Sequence, residues 1–186
     1  MPQILTDEQR DKLVNTPDWR TRLGRRDRAL LAVMAYGGLR IQEAAHLRRD
    51  EITFEGEKMR LTFAGKGGYI RTVTMPEKAA KLVKAYIVTH TSAFAFPGRE
   101  DAPRGKEGHM EARSVRARVA IHAKKAGMPS WFHVHSLRHT FGSTVMRKTG
   151  DLFLTSRVLG HRSVKTTADY YLAFDASYAD KAAEVF

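Results

Sequence analysis

The chain has 186 residues, with 32 Lys plus Arg against 20 Asp plus Glu, eight His and no Cys, so its formal net charge is +12. At 42% hydrophobic with 14 Gly and 6 Pro, it is too apolar to be disordered and too poor in turn-formers to be collagenous, and it should fold as one domain. The missing cysteine excludes disulfides, a thiolate nucleophile, iron–sulfur clusters and Cys-type zinc sites.

The longest apolar run, Ala29 to Tyr36, falls far short of a membrane span, and the N-terminus lacks the layout of a signal peptide. A cytoplasmic, reducing compartment is the default expectation. A surplus of positive charge attracts polyanions, of which nucleic acid is the commonest in such a compartment.

In chain order, Thr6 and Gln9 have capping-box spacing ahead of Leu13 and Val14, which predicts a first helix near 6–16 ended by Pro17. Arg26 to Tyr36 carries a wide apolar stripe and stops at Gly37-Gly38, and a short helix, Arg40 to Arg48, follows. The period then changes to two. Ile52 and Phe54, then Met59, Leu61 and Phe63, alternate with polar residues across a Glu55-Gly56-Glu57 turn, and Tyr69 to Met75 reads as a third strand beyond Gly65-Lys66-Gly67-Gly68. Pro76 suits the first position of a helix running to about His90. Residues 91–113 show no period and read as an exposed loop. Helices are then expected over Ser114 to Ala126, Ser136 to Lys148, Leu152 to Leu159 and Ser163 to about Phe174, with a last amphipathic piece at 176–185. The fold class is α+β, mainly α-helical with a small three-stranded antiparallel sheet.

Four places hold polar groups that a plain helical domain does not require. In Gly-Gly-Leu-Arg40-Ile-Gln-Glu43 an arginine opens a helix, where dipole and guanidinium together suit a phosphate and Glu43 can hold the guanidinium; a plain surface Arg–Glu pair is the alternative. Lys66 on its glycine-rich turn can deliver a proton or a charge, although Lys and Gly are also ordinary hairpin residues. The run His133-Val-His135-Ser-Leu-Arg138-His139 places His135 at or just before a helix start and Arg138 in the first turn. His135 and His139 are four apart but lack the glutamate of a H-E-x-x-H zinc motif, and a purely structural cluster also fits. Finally, His161 follows Gly160, with Tyr170 and Tyr171 nine and ten residues beyond it, either of which could equally be a core tyrosine.

Two arginines, a lysine, two histidines and a tyrosine are together a kit for attack of a phenol on a phosphodiester. A phenol is a poor nucleophile at neutral pH until cations stabilise the phenolate, and arginines do this while also holding the non-bridging oxygens, so no divalent metal is necessary. A lysine can protonate the departing alkoxide, and histidines can take the phenol proton and orient the phosphoryl group.

The blocks GLRIQEAAHL, GKGGYIRTVTMP, HSLRHTF and LGHRSVKTTADYY, in this order, resemble the catalytic domain of the tyrosine recombinase (phage integrase) family over essentially the whole chain. The resemblance implies that Arg40 and Arg138 clamp the phosphate, Lys66 is the general acid, His135 and His161 complete the site, and Tyr170 is the nucleophile with Tyr171 as fallback. Glu43 supports the first arginine and His139 is a further supporting residue. It also implies a 3′-phosphotyrosyl DNA intermediate with a free 5′-hydroxyl, consuming neither ATP nor metal. Residues 1–186 are then a single catalytic domain, without the family's N-terminal core-binding domain, and DNA binding should be weak and strongly salt-dependent. The partner is double-stranded DNA, with no membrane; the chain should be monomeric in solution and tetrameric on DNA, residues 176–186 passing to a neighbour or packing on their own domain. The surplus charge at Arg71, Arg99, Arg104, Arg113, Arg116 and Arg118 is expected to track the duplex. Two rival readings are a relaxing topoisomerase of the related tyrosine class and a non-catalytic basic DNA-binding module.

Overall fold

The computed structural model describes residues 3–64, 70–98, 108–161 and 163–171, without the side chains of residues 64, 166 and 169–171. Lys66, Arg99, Arg104 and the expected element at 176–185 lie outside the described residues, as do the side chains of Tyr170 and Tyr171.

Helix α1, Asp7–Asn15, opens with the anticipated capping box: Gln9 N–H donates to Thr6 Oγ1 at 3.1 Å, and Thr6 N–H to Gln9 Oε1 at 3.0 Å. Helix α2, Arg22–Gly37, starts four residues before its apolar stripe because Thr21 Oγ1 accepts from Gly24 N–H at 2.9 Å. It is buried without interruption from Ala29 to Gly37 and packs against α1, α4 and α6, so it forms the axis of the core. Gly38 follows at φ +61°, and a Cβ there would also collide with the Phe141 ring.

The short α3, Ile41–His46, leads through a 3₁₀ turn, Arg49–Glu51, into the sheet. Strands β1 (Ile52–Glu55), β2 (Lys58–Ala64) and β3 (Ile70–Met75) are antiparallel in the order β1-β2-β3, with Phe54 opposite Met59, Leu61 opposite Val73 and Phe63 opposite Arg71. Met59, Leu61, Phe63, Val73 and Met75 face inward. Helix α4, Glu77–Ile87, has Pro76 as its N-cap rather than its first helical residue.

Residues 91–98 and 108–111 do not form the exposed loop their composition suggests. Ala95, Phe96 and Met110 are buried, and the backbone pairs over distance, Ala95 N–H donating to Leu47 O and Met110 N–H to Phe96 O, each at 2.8 Å. Phe96, 1% exposed, carries this segment inward.

Helix α5, Ala112–Ala126, buries Val115, Val119 and Ala126 and ends at Gly127. Helix α6, Val134–Thr149, begins two residues earlier than expected, because His133 caps it by donating its N–H to Ser136 Oγ at 3.1 Å. His135 is therefore inside the first turn, and Arg138 in the second. Helices α7 (Leu152–Leu159) and α8 (Val164–Tyr171) follow, joined through Gly160 and His161. No described helix is long and apolar enough to cross a membrane.

Candidate active site

Glu43 organises the site. Its Oε1 accepts from Arg40 Nη1 at 2.7 Å, and its Oε2 accepts from Arg40 N–H at 2.7 Å and from Arg71 Nη1 at 3.0 Å. Arg138 Nη1 lies 3.8 Å from the same Oε2. Burial pushes the carboxyl up, but the opposing pull of Arg71, Arg40 and Arg138 is greater and holds it below the usual carboxylate range.

Arginines this close repel, so their charge has to be compensated. The carbonyls at helix C-termini do part of this, since the last turns of a helix leave C=O groups unpaired and carry partial negative charge. Arg138 donates from Nη1 to Gly38 O at 2.7 Å, at the end of α2, and from Nη2 to Leu159 O, at the end of α7. Arg71 donates from Nη2 to Gly37 O at 2.9 Å and stacks 5.0 Å over the Phe63 ring. Side-chain exposure is 2% for Arg71, 4% for Arg138 and 42% for Arg40, so Arg40 is the one of the three that reaches solvent.

The histidines gather at the same place. His135 and His139 meet edge to face with ring centroids 4.5 Å apart. His161 Nδ1 lies 2.8 Å from Thr167 Oγ1 on α8, the helix that carries Tyr170. Burial, followed by neighbouring positive charge, lowers all three: His135 by burial, Arg138 and Arg40, His139 to about 4 by burial and His135, and His161 to about 4 by burial, Arg138 and Arg40. His139 and His161 are neutral at pH 7, and His135 is biased toward its neutral form. Among the described residues no group of three or more His, Asp or Glu is arranged to hold a metal ion.

Arg40, Glu43, His135, Arg138, His139 and His161 thus come from separate parts of the chain to one site. Two of the basic residues expected on the duplex face are engaged by carboxylates. Arg71 is interior, its guanidinium taken up by Glu43 and the end of α2, so it cannot track a duplex. Arg118 donates from Nε to Asp27 Oδ2 at 2.8 Å, and His122 Nε2 lies 2.8 Å from the same oxygen, because a fully buried carboxylate demands partners. Arg113, which pairs with Glu111 at 2.5 Å, and Arg116 are exposed on α5. Sequence reasoning gave Arg71 to the duplex and missed its role beside Glu43, although the signal was there: period two in β3 puts Arg71 on the inward face with Val73 and Met75. Gly160 is a second omission, since a Cβ there would stand 2.9 Å from Arg71 Cδ.

This architecture is that of tyrosine recombinase catalytic domains. The XerH site-specific recombinase bound to its difH substrate in a pre-cleavage complex matches with a TM-score of 0.79 at 24% identity, over 98% of this chain and 54% of that one. The catalytic domain of bacteriophage HP1 integrase matches with a TM-score of 0.59 at 21% identity, over 97% of this chain and 93% of that one. Residues 3–177 match the model of the phage integrase family, and the chain belongs to that family. Among curated relatives, tyrosine recombinase XerC of Xylella fastidiosa (strain M23) is 32% identical over 184 residues, covering 97% of this chain and 59% of that protein. XerC of Xanthomonas campestris pv. campestris (strain B100) is 33% identical over 173 residues, covering 91% of this chain and 51% of that protein. The chain therefore spans between half and three fifths of the length of these relatives.

Proposed function

We propose that residues 1–186 are the catalytic domain of a site-specific DNA recombinase that cleaves and rejoins double-stranded DNA without a metal. The observation that carries this reading is the pairing of Arg40 and Arg138 with Glu43, with His135 and His161 within electrostatic reach of both arginines and α8, the helix of Tyr170, bonded to His161 through Thr167.

The scissile phosphate lies against Arg40 and Arg138. Arg40 is accessible and offers donors to a non-bridging oxygen; Arg138, pinned between the ends of α2 and α7, supplies fixed positive charge where the pentacoordinate transition state gains negative charge. The Tyr170 oxygen attacks phosphorus in line, its proton leaving to a neutral histidine, His135 being the candidate base. The bond to the 5′ oxygen breaks, and Lys66 protonates that oxygen. The product is a 3′-phosphotyrosyl enzyme and a free 5′-hydroxyl. Reversal by a different 5′-hydroxyl completes strand exchange, and bond energy is conserved throughout. Arg113 and Arg116 on α5 lie along the duplex. The relatives' names support recombination over simple relaxation, and we infer a monomer in solution and a tetramer on DNA.

The test is a nicked suicide duplex, from which the short 5′-hydroxyl strand diffuses away after cleavage. The wild-type chain accumulates a covalent adduct in EDTA, and Tyr170→Phe does not. An adduct with Tyr170→Phe, or loss of cleavage on chelation, would overturn the reading.

A further inference from the structure

Among the described residues, the one hydrogen-bond partner of the Thr167 hydroxyl is His161 Nδ1, at 2.8 Å, and Thr167 is completely buried. A neutral imidazole carries one ring proton, on Nδ1 or on Nε2, and the group facing one nitrogen decides which. His161 is neutral at pH 7, so this choice is binary here. If Nδ1 held the proton and donated it to Thr167, the hydroxyl's own proton would be buried without an acceptor, its lost hydration uncompensated. If Thr167 donates instead, only a lone pair of its oxygen goes unmatched, and the ring proton is left on Nε2.

We propose that Thr167 is a positioning residue that fixes His161 in the Nε2–H tautomer, so that the ring's outer nitrogen is a donor for a phosphate oxygen and not a competing acceptor. The same bond spans the loop after Gly160 and the helix bearing Tyr170, so it also sets the nucleophile's helix against the arginine cluster. The tautomer stands on the geometry alone; its use toward phosphate rests on the function proposed above.

The test separates the two. Nitrogen NMR of the chain labelled in its histidine rings, at pH 7 and without DNA, reads each ring nitrogen as protonated or bare. Wild type and Thr167→Ser should both show His161 with a bare Nδ1 and a protonated Nε2, and Thr167→Val should show a mixture of tautomers. A protonated Nδ1 in the wild type, or an unchanged spectrum in Thr167→Val, overturns the proposal. On the suicide duplex, Thr167→Val should lower the cleavage rate on the order of 10-fold with DNA affinity unchanged, and Thr167→Ser should restore it. Should the wild type cleave nothing, the functional reading fails while the spectra still decide the role of Thr167.

Discussion

The Arg71 guanidinium, 2% exposed, donates to Glu43 Oε2 at 3.0 Å across the gap between β3 and α3. A basic residue in the tyrosine recombinase fold invites assignment to the duplex, but Arg71 instead locks the carboxylate that holds Arg40. Removing either partner strands buried charge. Glu43→Gln should cost about 3 kcal/mol of stability and abolish cleavage, whereas Arg116→Ala should leave stability within about 0.5 kcal/mol of wild type. Urea unfolding of the three proteins measures this, and equal midpoints would show that Glu43 carries no structural charge pairing.

DNA binding should divide the arginines in the same way. Arg116→Ala is expected to weaken binding to any duplex and to reduce the slope of log affinity against log salt by about one. Arg118→Ala, which takes a partner from buried Asp27, should lower the melting temperature instead and leave that slope unchanged. Affinity titrations across a salt series distinguish the two, and an altered slope in Arg118→Ala would return that residue to the DNA face.

How much of this was legible follows particular residues. The α1 capping box and the glycine stop of α2 are local, and so were readable; the pairing of residues 94–96 with Leu47 and Met110 is distant in sequence, and no local pattern announces it. The start of α6 was misjudged because a histidine caps it through its backbone, outside the usual set of capping residues. The motifs single out Arg40, Glu43 and Arg138, which the fold brings together. What holds them was not legible: the helix-end carbonyls that receive Arg138 are backbone atoms and leave no mark on composition.

Gly38 joins fold to site, because its carbonyl receives Arg138 and its Cα faces Phe141. Gly38→Ala should cost about 1–2 kcal/mol from positive φ, with a further 1–3 kcal/mol from displacing the ring. Gly127→Ala, at φ +65° with open space, isolates the first contribution. Equal losses in the two variants would mean that Phe141 moves freely, and that Arg138 does not depend on this packing.

Acid should destabilise the free protein. His139 and His161 protonate at about 4 when folded against 6.5 for the ordinary ring, so between these values the unfolded chain binds more protons and stability falls as pH drops from 6.5 toward 4. The depressed carboxyls of Glu43 and Asp27 extend the loss at still lower pH. Urea midpoints at pH 7.5, 5.5 and 4.5 should decline in that order; a flat profile would place these histidines in water.

The central claim is that an oxygen of Tyr170, on the helix hydrogen-bonded to His161, becomes bonded to DNA phosphorus. Mass spectrometry of the protease-digested adduct trapped on the suicide duplex addresses it most directly. The account predicts a single nucleotide-bearing peptide with the linkage on Tyr170; linkage on Tyr171 or any other residue, or recovery of unmodified peptide from DNA-bound protein, would contradict it.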